Sequence, residues 1–178
     1  MNTVNFDEFN SYDDFSLILT SKTIGSAEAK TETVDIPGGD GVIDYTEYFG
    51  DVKFKNRWLI FEFETKVPPS SFMELFSNVQ NTLHGKVVQV RLSEEPDVYF
   101  RGRVNVNEWK SNGRIGKLTI EVDAEPWKYK NNVTVQALEV SGSGNFTILN
   151  SRRSATPDIS VTANMEITFN GVTHNLVP

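Results

Sequence analysis

Two histidines, twenty-four carboxylates and no cysteine are the sequence's whole stock for acid–base, nucleophilic and metal chemistry. Without a thiol there is no disulfide, no cysteine nucleophile and no cysteine-ligated zinc. His84 ends a segment of helical periodicity, and His174 lies in a short strand pattern near the C-terminus. A zinc or general-base site needs several groups converging, and neither histidine has a second ligand nearby in sequence. They read as a helix-end and a surface histidine. Asp35, Asp40 and Asp44 bracket the turn Ile36-Pro37-Gly38-Gly39-Asp40-Gly41, and three carboxylates there could hold a divalent cation weakly. Counted back from Gly41, however, Ile36 and Gly38 stand where an EF-hand loop requires oxygen ligands, so the stretch reads as a glycine-rich bend between strands. No Gly-x-Gly-x-x-Gly, Walker-type loop or Gly-x-Ser-x-Gly is present. Paired acids such as Glu94-Glu95 specify nothing without geometry. No residue is assigned to catalysis, a cofactor or a metal, and the expectation is a protein that is not an enzyme.

The remaining composition is that of a folded, acidic chain. In 178 residues, 38% are hydrophobic and three Trp, five Tyr and twelve Phe are available for a core. A net charge of -7 argues against a surface that grips phosphates, so no specific nucleic-acid binding is expected. Apolar runs are no longer than Trp58-Leu59-Ile60-Phe61, which predicts no membrane insertion, and the first residues lack the pattern of a secretion signal. Charge is uneven: residues 1–50 carry ten acids and two bases, residues 51–130 eleven and thirteen. Opposed stretches in one chain can serve self-association, or simply make two differently solvated faces.

Most of the chain predicts strands. Phe15, Leu17 and Leu19 alternate with Ser16 and Ile18, and Leu59, Phe61 and Phe63 with Glu62 and Glu64. The same period recurs at Val88, Val90 and Leu92, at Val104 and Val106, and at Leu118, Ile120 and Val122. Successive side chains of a strand point to opposite faces, so this period marks half-buried strands. Asn112-Gly113 fits a tight hairpin turn. One segment differs. Ser71-Phe72-Met73-Glu74 has capping-box spacing, and Phe72, Phe76, Val79 and Leu83, with Leu75 beside them, form one helical stripe before a terminating Gly85.

The pattern changes near residue 130. Residues 125–132 read as a linker; beyond them charge nearly vanishes, and short strands are expected at 133–137, 146–149, 159–161 and 167–169, with turns at Ser141-Gly142-Ser143-Gly144 and Asn170-Gly171. The fold class expected is mainly β: a domain over residues 1–130 with one helix, then, over 131–178, the start of a second β-sandwich. Its 48 residues fall well short of the ~100 of an immunoglobulin-sized sandwich, so the chain is expected to end inside that domain.

Several short motifs follow one another in a particular order: Ile36-Pro37-Gly38-Gly39-Asp40-Gly41 with Asp44-Tyr45, then Asn56-Arg57, then Leu83-His84-Gly85-Lys86. Tyr99-Phe100-Arg101-Gly102-Arg103, Asn107-Glu108-Trp109 before Ser111-Asn112-Gly113, and Asp123-Ala124-Glu125-Pro126-Trp127-Lys128-Tyr129 complete them. In this order they resemble one family, the distal tail protein (Dit) of siphophages and prophages of Gram-positive hosts. The resemblance implies a split β-barrel-like N-terminal domain that assembles as a homo-hexamer, and a galectin-like β-sandwich of which this chain holds the beginning. It implies a non-enzymatic hub in the virion tail tip, synthesised in the host cytoplasm. That hub would join the tail tube protein to the baseplate or tail-associated lysin or fibre protein, let DNA pass, and carry receptor-binding protein through the C-terminal domain. The short second domain departs from the family and counts against receptor or sugar binding by this chain; the reading from another class is a carbohydrate-binding β-sandwich module for cell-wall saccharide, with exposed aromatics stacking on sugars.

For a subunit interface the residues expected are Asp40, Tyr45, Tyr48 and Phe49, with Arg57, because tyrosine and arginine combine contact area with hydrogen bonding in interface cores. Core packing is the competing reading for the aromatics. Trp58, Trp109 and Trp127 are assigned to the core or the domain junction.

Overall fold

A computed structural model describes residues 2–48, 50–132, 158–169 and 172–178, with positions 139, 142, 144 and 145 between. The chain divides into two compact units, Met1–Val135 and Gln136–Pro178. The described residues are mainly β with a single α-helix, as the alternation predicts.

Among the described residues ten strands belong to the first unit: β1 (Val4–Phe6), β2 (Phe9–Asn10), β3 (Ile18–Ile24), β4 (Thr33–Asp35), β5 (Val42–Asp44), β6 (Arg57–Thr65), β7 (Val87–Leu92), β8 (Val98–Ser111), β9 (Gly116–Ala124) and β10 (Tyr129–Lys130). The main sheet runs β2-β1-β7-β8-β9-β6-β3, with β10 beside β8, and its pairs are antiparallel. In a flat sheet its end strands, β2 and β3, would lie about 29 Å apart at ~4.8 Å per strand. Residues 11–17 alone connect them. That link is not extended: Asp14 N–H donates to Asn10 O (3.2 Å), Ser16 N–H to Tyr12 O (2.9 Å) and Leu17 N–H to Ser11 O (2.8 Å). The sheet therefore curls. Phe6 on β1 and Phe61 on β6, with three strands between them in the ladder, meet edge to face with ring centroids 6.0 Å apart. No ladder joins β2 to β3, so the result is a barrel split along one seam.

The core is the inner face of that curl. Leu59, Phe61 and Phe63 of β6, Val88 and Val90 of β7, Val104 and Val106 of β8 and Leu118, Ile120 and Val122 of β9 are all buried. Phe15 and Leu17 are buried too, but they precede β3, whose ladder begins only at Ile18. Strand parity also corrects the reading of Trp58. It neighbours inward-facing Leu59, so it must point outward, and it is 55% exposed. Trp127 is exposed as well, with its ring 5.1 Å from that of Phe54.

The helix α1 (Phe72–Leu83) buries Phe72, Val79 and Leu83, with Leu75 and Phe76 half-buried against the core. Its anchor is Trp109. On β8, residues 100 to 106 face inward at even numbers; a bulge between Val106 and Trp109 flips the parity and turns Trp109 in. Its ring lies 5.4 Å from Phe72 and 5.9 Å from Phe76. The capping box does not form. A 3-10 turn (Pro69–Ser71) leaves Ser71 at φ -100, ψ 0, outside the extended conformation in which an N-cap hydroxyl reaches the helix, and it makes no cap hydrogen bond. At the far end Gly85 has φ +76, and His84 Nδ1 accepts the Val106 N–H at 3.1 Å. His84 thus satisfies a backbone N–H of β8. The β8–β9 hairpin turns at Asn112-Gly113 as expected, with Gly113 at φ +84, but it is looser: four residues connect the strands, and Asn112 Oδ1 accepts from both Arg114 N–H and Ile115 N–H.

In the second unit β11 (Met165–Phe169) and β12 (Val172–Leu176) pair antiparallel, with exposed His174 opposite Ile167. Residues 159–161 are not a strand, against expectation. The strands expected at 133–137 and 146–149, and the Asn170-Gly171 turn, lie outside the described residues.

Gly102 tests the curled centre. A Cβ there would sit 2.5 Å from Asp123 O and 2.6 Å from Ala124 Cα, in a strand held on both sides. Gly102→Ala is expected to cost ~1–3 kcal/mol, the range for overpacking, read as a lower urea midpoint at unchanged slope. An unaltered midpoint would show that β8 and β9 can part.

Candidate assembly surface

Between β3 and β6 the chain leaves the barrel as an arm. Its stem is the Ala29–Phe54 bridge, with Lys30 N–H donating to Lys53 O and Lys55 N–H to Glu28 O, each 2.8 Å. Further out, β4 and β5 pair with each other and with no other described strand. Gly39 N–H donates to Ile36 O (3.1 Å) across Pro37 and a Gly38 of φ +72. That is the arrangement of a type II turn, which requires a positive φ at its third residue. Asp35, Asp40 and Asp44 are thus disposed along a hairpin. Among the described residues no group of three or more His, Asp or Glu converges as a metal site.

Nothing in the described chain covers this hairpin: from 28 to 48 every residue but Thr46 is exposed. Register places Val34 opposite Ile43 on one face, and the same parity carries Ile36 and Tyr45, exposed by 39–54%. Glu32 joins that face, since its C=O accepts the Tyr45 N–H at 2.8 Å. The other face shows Asp35 and Asp44. The Thr46 hydroxyl and N–H hold the Asp44 carboxyl below the usual value, so that face stays anionic. Residues 31–51 contain six acids and no base. A two-stranded ribbon is marginal by itself, and an exposed apolar stripe on one marks a contact surface.

Of the interface residues expected from sequence, Asp40 lies at the arm's tip, and Tyr45 and Tyr48 lie on its return, with rings 6.0 Å apart. Tyr48 is 72% exposed. Phe49 lies outside the described residues. Arg57 stands apart from them. Half-buried at the start of β6, it donates to Pro126 O and lies over the Phe100 ring at 5.7 Å. Among the described residues its Nε is the one buried side-chain nitrogen or oxygen without a hydrogen-bond partner. The apolar stripe Val34, Ile36 and Ile43 escaped the sequence reading. Its signal was present, two short β-branched runs about a Pro-Gly-Gly turn.

A second surface lies on the outer face of β7 and β8. Val87 pairs with Arg103 and Gln89 with Arg101. Arg103 is exposed, donates to Gly85 O and lies opposite Asp123 of β9, and Val87 beside it is 45% exposed. Further along, Arg91 lies over the Tyr99 ring at 5.7 Å, and Tyr99 stacks on Tyr129 at 5.5 Å. Tyr129 donates its hydroxyl to Glu125, which also pairs with Arg101 at 3.3 Å. Together they clasp β10 to β8.

The clasp has a pH signature. Its hydrogen bond to Glu125, then burial, push the Tyr129 hydroxyl up to about 12 from 10.0. A phenol whose folded value is raised contributes stability that is complete below the unfolded value and lost as pH rises through the folded one. Absorbance titration should therefore show a tyrosine ionising near pH 12, with stability falling between about pH 10 and 12. Glu125→Gln should bring that step down; an unmoved step would assign it elsewhere.

No protein-family model matches the sequence, and no curated protein matches it. Among solved structures, the chain is similar to the SPP1 Dit protein (gp 19.1), described as a paradigm of hub adsorption apparatus in phages infecting Gram-positive hosts. The likeness has a TM-score of 0.59 at 16% identity, and covers 73% of this chain and 52% of that one. The chain spans about half the length of that protein, and the two share a fold.

Proposed function

We infer that the chain is a non-enzymatic structural protein of a phage tail tip, built around a ring of six copies. The observation that carries this reading is the fold shared with a hub adsorption protein in a chain whose sequence motifs already resemble the Dit family. Supporting it, the first unit presents an arm that nothing in the described chain covers, with an exposed apolar face that contact with a second copy would bury. In this reading residues 1–130 form the ring, and Asp40, Tyr45, Tyr48 and Phe49 make contacts between copies. Arg57 acts from inside the fold by fixing the corner at Pro126. Residues 131–178 contribute to a galectin-like sandwich that carries receptor-binding protein. The ring joins the tail tube protein to the tail-associated lysin or fibre protein in the virion, and its acidic character leaves DNA free to pass. No observation among the described residues favours the saccharide-binding reading.

The test is solution mass by light scattering over a wide concentration range, with electron microscopy of any large species, alone and with the tail tube protein. A six-fold ring with an open centre is the expected result. A monomer at every concentration, with and without the tube protein, would overturn the reading.

A further inference from the structure

We propose that residues 125–131 are a releasable strap: docked, they fix the point at which the chain leaves the first unit, and undocked they lengthen its free reach while the barrel stays folded. Read as a linker from sequence, the stretch is held along its length in the structure. Glu125 N–H donates to Arg101 O (2.8 Å), and the Arg57 guanidinium donates to Pro126 O. Trp127 meets Phe54 at the stem of the arm, and Tyr129 stacks on Tyr99 and donates to Glu125. The turn between β7 and β8 seats the rest. There Glu95 pairs with Lys128, Pro96 O accepts from Asn131 Nδ2, and Asp97 O accepts the Asn131 N–H at 3.0 Å. Arg91 Nε donates to Asn131 Oδ1 at 3.1 Å, so both ends of that side-chain amide are engaged. The paired acids Glu94-Glu95 acquire separate tasks: Glu94 pairs with Lys22 of β3, a strand that borders the seam, and Glu95 with the strap.

These contacts differ in kind from those that hold the barrel. No residue from 125 to 131 is buried, and the buried series of β9 ends at Ala124, immediately before the strap. Its ladder with β8 has two pairs, Tyr129 with Tyr99 and Lys130 with Val98. The remaining contacts are mostly hydrogen bonds and ion pairs of exposed groups, which contribute little to stability. Undocking would hydrate polar groups and half-buried Pro126 and Tyr129. Parting β8 from β9 would instead expose Val104, Val106, Ile120 and Val122. A segment with few buried apolar contacts opens before the whole fold does. Two tether lengths result. With the strap docked the chain departs at Asn131; with it undocked, at Ala124, which adds up to about 23 Å at 3.3 Å per residue. The device belongs to a single copy and holds whether or not copies assemble.

Amide hydrogen exchange in the full chain under native conditions reads both halves of the claim. The Asn131 amide should be protected at least tenfold over an unstructured chain, and should exchange at least a hundredfold faster than those of Val104 and Ile120. Tyr129→Phe combined with Asn131→Ala should lower protection at position 131 at least tenfold and leave Val104 and Ile120 unchanged. Trypsin, followed by mass spectrometry at the bonds after Lys128 and Lys130, should cut there at least tenfold faster in that double variant. Exchange at Asn131 as fast as in an unstructured chain would show that the strap is not docked. Exchange as slow as in β8 and β9 would show that it does not release. Either result overturns the proposal, as would a double variant that loosens Val104 and Ile120 together with position 131.

Discussion

The link at residues 11–17 constrains the rest of the first unit. It ties the two end strands of a long antiparallel ladder and is too folded to span a flat sheet. The sheet must roll until β1 and β6 face each other, and Phe6 against Phe61 is where they meet. Rolling gives one concave face, which becomes the core, and one convex face open to partners. Edge-to-face aromatic contacts add about 0.5–1.5 kcal/mol each beyond burial. The seam is therefore held by side-chain packing where hydrogen bonds are missing.

Two features follow from closing a sheet this way. First, the barrel's open flank beside β8 needs a cover, and α1 supplies it. The bulge before Trp109 is what lets a single strand face the barrel core at Val104 and Val106 and the helix at Trp109. Second, the β3–β6 hairpin is longer than the barrel, and its excess becomes the arm. Nothing in the described chain compensates the arm for its ordering, and a short ribbon cannot do so itself. Its exposed valine and isoleucines form a surface that the described chain leaves uncovered.

Where burial differs between the two faces of an element, the sequence was legible. Leu59, Phe61 and Phe63 against Glu62 and Glu64 announce β6, and the stripe from Phe72 to Leu83 announces α1. The arm was legible as a bend between strands but not in its extent or its apolar face, because β4 and β5 have three residues each and are exposed on both faces. Trp58 was misjudged by weighing ring size above strand parity, although Leu59 beside it already fixed its direction. Ser71 was misjudged because a capping box depends on the conformation of the preceding chain, which Pro68-Pro69 diverts into a 3-10 turn. Of the interface residues chosen from sequence, Asp40, Tyr45 and Tyr48 share the arm, and Arg57 is engaged within the fold.

In the proposed assembly the barrel is complete in one copy whereas the arm is completed by another. Residue-by-residue amide hydrogen exchange, in dilute monomer and in assembled protein, addresses it most directly. In the monomer, amides of β6, β8 and β9 should be strongly protected while those of Val34, Val42 and Ile43 exchange nearly freely. Assembly should then protect the arm. An arm as protected as the barrel in the monomer, or unprotected after assembly, would contradict the account.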